Sequence, residues 1–378
     1  MRHLADISTP FLVVDSRVMQ RNIDRVADFG RRIGRDVRPH AKTHKCLEIA
    51  RRQLAAGAVG MTVATAWEAE VFAAVTDDLL VARSVADRCA LRRLAGLRAC
   101  GKRLIVGIDH TEGARLLGEC ARAAGARFEV RIEVNTGQNR CGVEPNGALA
   151  LARAIAAQPG LHLEGVFTHE GHVYSVEGPG GVHSVAAKVA TMMRQVAEEL
   201  RRDGHDVRSV SVGSTPALFE TPKHEGMTEL RPGTYVFNDQ IEMLLGAADE
   251  ADCAASVICT VISVAPPDQV VIDAGTKAVA ADGSARQSLG AVRGCHQASF
   301  VRASEEHGVV RWPESEPTPA VGSRLEIIPY HICPAVNLHD TIVVVEDGAV
   351  VDEWPVSARG YGRLSPHSPS APRGACLE

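Results

Sequence analysis

Eight short apolar runs alternate with segments of helical periodicity between residues 36 and 247, and this alternation constrains the fold most strongly. The runs fall at residues 36–41, 59–64, 79–83, 104–109, 128–134, 161–168, 207–212 and 228–237. Apolar residues at helical spacing lie between successive runs, and the segment 240–247 completes the eighth pair. Eight strand–helix pairs are the number in a (β/α)8 TIM-like barrel. A doubly wound sheet is the alternative, but its strands would have to divide about a switch point. The count favours the barrel.

The pattern changes near residue 250, where helical periodicity gives way to short β-branched runs separated by Pro and Gly. We therefore predict three parts: a barrel over 9–248, a mostly-β domain over 249–360 and a disordered tail over 361–378. Asp347-Gly348 between two apolar runs is typical of a hairpin turn. The apolar run at 11–15 precedes the first barrel strand, which leaves it available to pair with the C-terminal domain.

Composition excludes several classes of function. The 41 basic and 46 acidic residues give a net charge of −5, and no basic block indicates a nucleic-acid partner or a membrane surface. The first residues lack the apolar core of a signal peptide, and no apolar run reaches the length of a transmembrane span. The ten cysteines include no Cys-x-x-Cys pair and are most simply buried or reduced thiols. We expect a cytoplasmic globular protein.

The loop after the first barrel strand concentrates reactive side chains. Arg38-Pro39-His40-Ala41-Lys42-Thr43-His44-Lys45 holds two lysines and two histidines, directly after an apolar run. In a barrel this position faces the active-site mouth, where a desolvated lysine can act as a nucleophile towards a carbonyl. A basic loop that only solvates the strand end is the alternative.

Later loops at the same end of the predicted barrel add further polar groups. Arg140 lies in a glycine-containing loop after the fifth strand, and His169 and His172 follow the sixth, where they suit proton transfer, metal binding or simple hydrogen bonding. Gly213-Ser214-Thr215-Pro216 follows the seventh strand, the usual place of a phosphate site in this fold. Tyr235 follows the eighth strand, within reach of the same mouth.

A second constellation, His331-x-Cys333, lies in the β domain. On an extended segment these two side chains would point to one face, and imidazole with thiolate suits Zn²⁺. Two protein ligands would leave an open site, completed by water or substrate. A buried thiol beside a core histidine is the alternative.

Taken together, these motifs resemble those of the D-threonine aldolase and D-serine dehydratase family, whose fold is of the alanine racemase type (fold type III pyridoxal 5'-phosphate enzymes). The resemblance runs from Thr9-Pro10 to about Arg359-Gly360. It is carried by the stretch from Arg38 to Lys45, Gly137-Gln138-Asn139-Arg140-Cys141-Gly142-Val143, Thr168-His169-Glu170-Gly171-His172, Gly213-Ser214-Thr215-Pro216, Glu229-Leu230-Arg231-Pro232-Gly233, Asp273-Ala274-Gly275 and His331-x-Cys333.

The resemblance implies a role for each candidate residue. Lys42 would form the internal aldimine with pyridoxal 5'-phosphate (PLP), and Arg140 would lie near the cofactor ring. Ser214 and Thr215 would hold the cofactor phosphate, with Gly213 and Tyr235 also in the cofactor site. His331 and Cys333 would bind a divalent metal. His169 or His172 would be the catalytic base, with a metal-bound hydroxide as the alternative.

The resemblance also implies a reaction on a D-3-hydroxy amino acid, and a homodimer. The cysteine at position 333 resembles the motif of the dehydratase branch, whereas the sequence from Pro334 to Asp340 resembles that of the aldolase branch. A cysteine ligand favours Zn²⁺ over Mn²⁺. We predict retro-aldol cleavage of D-threonine-like substrates to glycine and an aldehyde. The alternative is a D-serine or D-3-hydroxy amino acid dehydratase that gives a 2-oxo acid and ammonia.

Overall fold

The computed structural model describes residues 3–265, 268–283, 288–360 and 362. Two compact units are present, and the chain passes between them more than once. Of the described residues, one unit comprises 26–42, 49–233, 360 and 362, and the other 3–25, 43–48 and the described part of 234–359. The division near residue 233 falls before the expected boundary at 248. The tail predicted over 361–378 lies, apart from Gly362, outside the described residues.

The first unit contains a parallel sheet of eight strands. The strands are β2 (Asp36–Val37), β3 (Met61–Val63), β4 (Asp78–Val81), β5 (Arg103–Ile108), β6 (Phe128–Glu133), β7 (Leu161–Phe167), β8 (Ser209–Val212) and β9 (Glu229–Leu230). They are arranged in the order β2-β9-β8-β7-β6-β5-β4-β3, and a parallel bridge from His40 to Thr62 joins β2 to β3. The predicted barrel of parallel strands is confirmed.

Helices follow the barrel strands. They are α2 (Leu47–Ala55), α3 (Ala66–Phe72), α4 (Arg88–Ala99), α5 (Thr111–Ala123), α6 (Ala148–Ala156) and α7 (Gly178–Arg202). Capping side chains fix where several of them begin: the Thr65 hydroxyl accepts the N–H of Glu68, and the Asp87 carboxylate accepts the N–H of Ala90. The helices cover one face of strands that are almost entirely buried, as parallel sheets require.

The amino-terminal end of the barrel is filled by charged side chains. Arg131 on β6 contacts Glu164 on β7 and Glu229 on β9, each at 2.5 Å, and its side chain is 2% exposed. Arg38 joins Glu229 to Asp78 at 2.8 and 2.6 Å. Opposite charges therefore neutralise one another inside the barrel, and the carboxyl ends of the strands are left for chemistry.

The second unit is built on a nine-stranded sheet. Its strands are β1 (Phe11–Asp15), β10 (Ala255–Ser263), β11 (Gln269–Ile272), β12 (Gly290–Val292), β13 (Ser299–Ala303), β14 (Gly308–Arg311), β15 (Arg324–Pro329), β16 (Thr341–Glu346) and β17 (Ala349–Pro355). Three short helices belong to this unit: α8 (Gln240–Leu244), α9 (Thr276–Val279) and α10 (Ile332–Val336). The predicted mostly-β character of the C-terminal part is confirmed.

Strand β1 lies in the middle of this sheet although it comes from the start of the chain. It pairs antiparallel with β10 and parallel with β16, so Val13 faces both Ser256 and Val343. Four of its five residues are buried. The chain continues from β1 into α1 (Ser16–Ile33), whose first turn is capped by the Asp15 carboxylate accepting the N–H of Val18.

Three sequence-based expectations differ from the structure. The eighth barrel run is shorter than predicted, because the chain turns into a 3-10 helix at Thr234–Val236. Strands β12 and β13 lack a clear apolar run and were not predicted. The cysteines are thiols at eight described positions, but Cys100 is in a disulfide bond. Among the described residues, no helix is long and apolar enough to cross a membrane.

Candidate active site

Lys42 lies where the backbone of β2 leaves the barrel. Pairing continues past the strand, because the N–H of His40 donates to the carbonyl of Pro232 and that of Ala41 to the carbonyl of Thr62. The chain then turns, and the N–H of Lys42 lies 3.3 Å from Nδ1 of His40. Lys42 is half-buried at the carboxyl end of the strand, as the sequence predicts for a nucleophile in a barrel.

The second lysine of this motif has a different environment. Lys45 Nζ donates to Oδ1 of Asn337 at 2.9 Å, and its backbone has a φ of 49°. A left-handed conformation at a non-glycine residue is uncommon and needs support from its surroundings. The Lys45 carbonyl also accepts the N–H of Ala358. These contacts give Lys45 a structural role and distinguish it from Lys42.

His169 and Glu170 follow β7 and hold the loop after β8. Nδ1 of His169 lies 2.7 Å from the carbonyl oxygen of Gly213, so this nitrogen carries the proton and donates. Burial and, to a smaller extent, the nearby positive charge of Lys42 lower the pKa of His169 to about 3. The imidazole is therefore neutral near pH 7. The Glu170 carboxylate accepts the N–H of Gly213 at 3.0 Å, and burial raises the pKa of Glu170.

His172 lies in a 3-10 helix, Gly171–Ser175, beside the loop that follows β6. A Cβ placed on Gly137 would lie 3.2 Å from Nε2 of His172, so the two loops meet here. Nδ1 of His172 is buried and has no hydrogen-bond partner among the described residues. Burial lowers the pKa of His172, which keeps the ring neutral as well.

Arg140 is exposed over about half of its side chain, and Nη2 lies 4.0 Å from Oε1 of Glu133. Glu133, the last residue of β6, was not among the predicted site residues. Burial raises its pKa to about 7, although Arg140 acts in the opposite direction. The sequence did contain a signal for Glu133, because a carboxylate stands at the end of a predicted barrel strand.

The loop Gly213-Ser214-Thr215 follows β8, and its hydroxyl side chains are buried. Ser214 is 3% exposed, and its Oγ has no hydrogen-bond partner among the described residues. A Cβ on Gly213 would lie 2.8 Å from both Cβ and the carbonyl oxygen of Arg231, so only glycine fits. A buried hydroxyl without a partner costs about 1–3 kcal/mol, and a phosphate oxygen would relieve that cost.

The predicted metal ligands lie together in the second unit. His331 precedes α10 in an extended conformation, while Cys333 lies in the first turn of that helix. The expected extended His-x-Cys segment is therefore wrong for Cys333. Burial lowers the pKa of His331, but the charge of Cys333, hydrogen bonds to Asp282 and Cys333, and the charge of Asp239 raise it to about 11. The surroundings of this ring thus favour positive charge, which a divalent cation would also supply.

Polar groups surround these two side chains. Nδ1 of His331 lies 2.9 Å from Oδ2 of Asp282, which leaves Nε2 as the ring nitrogen for a metal. Sγ of Cys333 lies 3.2 Å from Oγ1 of Thr43, the residue after Lys42 in the chain, and 3.7 Å from Oγ1 of Thr234. Within the described part of the chain, no three His, Cys, Asp or Glu side chains are grouped to hold a metal.

Tyr235 is buried within the 3-10 helix Thr234–Val236 of the second unit. The residues present fit both groups that the resemblance implies. The unpartnered Ser214 hydroxyl fits a phosphate, and the imidazole–thiol pair is a donor set for a borderline-soft divalent ion.

Comparison with known proteins identifies the family. Residues 14–240 match the alanine racemase N-terminal domain family, and residues 254–345 match the putative serine dehydratase domain family. The chain belongs to the alanine racemase-like family of PLP enzymes. The family resemblance seen in the sequence is confirmed.

Full-length relatives of this family member are lyases. The chain is 33% identical to D-threonine aldolase of Arthrobacter sp over 95% of both chains. It is 36% identical to D-threo-3-hydroxyaspartate dehydratase of Delftia sp. (strain HT23), over 87% of this chain and 92% of the relative. The crystal structure of D-threonine aldolase from Filomicrobium marinum has a TM-score of 0.89 at 33% identity, covering 96% of this chain and 98% of that one. A similar structure is a cysteine-to-alanine mutant of D-threo-3-hydroxyaspartate dehydratase in the metal-free form.

Proposed function

We propose that this protein is a PLP- and divalent-metal-dependent lyase that cleaves D-3-hydroxy amino acids, such as D-threonine, to glycine and an aldehyde. The observation that carries the proposal is the His331–Cys333 pair, because a two-ligand metal site suits a substrate that brings its own hydroxyl. A racemase would leave this pair without a use. The aldolase relative supports the reaction.

The cofactor would be held mainly by the barrel loops. Lys42 would bind the cofactor aldehyde, Ser214 and Thr215 the phosphate, and Arg140 would lie near the ring. Gly213 and Tyr235 belong to the same proposed set. When bound, PLP withdraws electrons from the substrate bond that breaks, and a divalent metal acidifies a hydroxyl. The barrel's own contribution is to orient these groups and limit water.

The metal would be held by His331 and Cys333, with Asp282 fixing the imidazole so that Nε2 faces the ion. A thiolate favours Zn²⁺ over Mn²⁺, so we propose zinc and keep manganese as the alternative. Waters or substrate oxygens would complete the coordination.

The proton acceptor would be one of the two histidines that follow β7. His169 donates from Nδ1 to Gly213, and its pKa of about 3 makes Nε2 a weak base. His172 has an Nδ1 that makes no hydrogen bond to any described residue. Both remain proposed catalytic residues, and His172 is the stronger candidate for the base.

Dehydration is the second candidate reaction. Cys333 supports it, because the sequence resemblance associates a cysteine at this position with the dehydratase branch, and a dehydratase is among the full-length relatives. The same two ligands would then assist loss of the substrate hydroxyl as water, and the product would be a 2-oxo acid with ammonia.

We also propose that the protein acts as a homodimer in the cytoplasm. The family resemblance supports the dimer. Among the described cysteines, eight are thiols and one, Cys100, is in a disulfide bond, and the majority of thiols suits a reducing compartment. Sedimentation of the purified protein and fractionation of cells would test the two statements; a monomer, or a protein outside the cytoplasmic fraction, would contradict them.

Product analysis tests the reaction. The purified protein is supplied with PLP and with Zn²⁺ or Mn²⁺ in turn, and then with D-threonine, D-serine or 3-hydroxy-D-aspartate. Glycine with an aldehyde supports the aldolase proposal. Ammonia with a 2-oxo acid supports the dehydratase, and inversion of these substrates at Cα with neither set of products would refute both.

A further inference from the structure

Gly213 is held on both of its polar backbone atoms by two consecutive residues of the loop that follows the neighbouring strand, β7. Its N–H donates to Oε2 of Glu170 at 3.0 Å, and its carbonyl accepts from Nδ1 of His169 at 2.7 Å. We call these two hydrogen bonds, from Gly213 to Glu170 and from His169 to Gly213, the clamp. Strands β7 and β8, which precede these loops, are paired in parallel, so the clamp continues their pairing past the strand ends. In this arrangement the Gly213 N–H is not available to a phosphate.

The next residue shows what the clamp achieves. Ser214 Oγ is buried and makes no hydrogen bond to the part of the chain that the structure describes, so its hydrogen-bonding capacity is available to a ligand. The direction of the Ser214 side chain depends on the conformation of Gly213. The peptide before Gly213 is held by Glu170 through the Gly213 N–H, and the peptide after it is held by His169 through the Gly213 carbonyl. The close approach of Arg231 to Gly213 restricts the same residue further. The clamp therefore determines where this hydroxyl points.

Glu170 cannot itself meet a phosphate, because two anions repel each other at short range. It is 1% exposed, so its position is fixed by packing. A carboxylate that accepts a backbone N–H makes a charge-assisted hydrogen bond, stronger than one between neutral groups. These properties suit a residue that affects a bound phosphate indirectly, by holding the loop at Gly213.

We propose that Glu170 is a positioning residue for the phosphate group of the cofactor: by accepting the Gly213 N–H it sets the loop so that Ser214 Oγ meets a phosphate monoester. This inference rests on the proposed function, because the ligand is PLP. It assigns to Glu170 a contribution that depends on the ligand carrying a phosphate.

The test compares PLP with pyridoxal, which lacks the phosphate. Dissociation constants for both aldehydes are measured from the visible absorbance of the bound ligand in the wild type and in Glu170→Leu, Glu170→Asp and Glu170→Gln. Glu164→Gln is the matched control, because it replaces a buried carboxylate in the middle of β7 that pairs with Arg131 and makes no contact with the Gly213 loop in the hydrogen bonds and ion pairs of the described residues. Circular dichroism melting checks that each variant is folded.

We expect Glu170→Leu to weaken PLP binding about tenfold or more and to change pyridoxal binding less than about threefold. Glu170→Asp has a shorter side chain that withdraws from the Gly213 N–H. It should therefore also weaken PLP binding more than pyridoxal binding. Glu170→Gln keeps an acceptor oxygen and should resemble the wild type, as should Glu164→Gln. The Asp and Gln variants decide the question if the Leu variant does not fold.

Unchanged PLP binding in both Glu170→Leu and Glu170→Asp would overturn the inference, as would an equal loss for both ligands, since that would indicate general destabilisation. These outcomes leave the proposed function standing if the wild type binds PLP. If the wild type binds neither aldehyde, the proposed function and the inference both fail.

Discussion

At the scale of single residues, the two lysines of one loop have different surroundings. Lys42 is half-buried at a barrel strand end, whereas Lys45 donates to Asn337 in the β unit. The sequence identified the loop, but spacing alone could not tell which lysine does chemistry. The distinction depends on Asn337, which lies 292 positions away in the chain.

We expect Lys42→Ala to abolish the borohydride-reducible visible absorbance of the protein with PLP, because no amine would remain at the strand end. Lys45→Ala is the matched control and should keep this absorbance. Absorption spectra and mass spectrometry after reduction provide the measurement. A reduced adduct on a lysine other than Lys42 would contradict the assignment.

The raised pKa of Glu133 predicts a pH dependence of stability. Because the folded state binds the proton more tightly than the unfolded chain, stability is fully present below about pH 4.5 and is lost as the pH rises through about 7. The contribution is about 3 kcal/mol over this range. Urea unfolding of the cofactor-free protein at pH 5 and pH 8 should show the decline, and Glu133→Gln should reduce it. Parallel pH profiles in the two proteins would refute the raised pKa.

Asp282 should increase metal affinity, because it holds His331 in the tautomer that presents Nε2. We expect Asp282→Asn to weaken Zn²⁺ binding about 10–100-fold. Titration calorimetry of the metal, without substrate, measures this. Glu306→Gln is the control, since Glu306 pairs only with the exposed Lys277 in the ion pairs of the described chain. Equal affinities in Asp282→Asn and wild type would rule out the orienting role.

At the scale of secondary-structure elements, hydrophobic periodicity predicted the barrel strands well, but it could not predict contacts between neighbouring elements. Long buried runs such as β6 and β7 are clear in the sequence, and Asp347-Gly348 does form the turn between β16 and β17, with φ angles of 48° and 78°. Strands β12 and β13 were missed because their apolar residues do not alternate cleanly. The clamp of Glu170 on Gly213 depends on two neighbouring loops, which no local pattern reveals.

The charged layer inside the barrel predicts a large stability cost on breaking it. Arg131→Met would leave Glu164 and Glu229 without their shared partner and should destabilise the barrel by about 3–5 kcal/mol. Arg115→Met is the control, because Arg115 pairs with Glu112 on an exposed helix face and should leave the stability nearly unchanged. Urea midpoints of the two variants measure the difference. Similar midpoints would mean that the buried charges relax at little cost.

At the scale of the whole molecule, the β unit is assembled from both ends of the chain. A fragment that begins at Thr234 would lack β1 and leave a gap between β10 and β16. We expect residues 234–360 expressed alone to be unfolded or aggregated, and the same fragment with residues 1–15 joined by a flexible linker to show more β structure and cooperative melting. Far-ultraviolet circular dichroism compares them. A folded fragment without β1 would refute this dependence.

The central position of β1 in its sheet also determines how long this strand remains unpaired during synthesis. About 240 residues separate the end of this strand from the start of β10, its first partner to emerge. At a translation rate of about 5–20 residues per second, an apolar strand with unsatisfied backbone groups waits roughly 12–50 seconds on the ribosome. During that interval the nascent chain is a substrate for chaperones, and slower translation would lengthen its exposure.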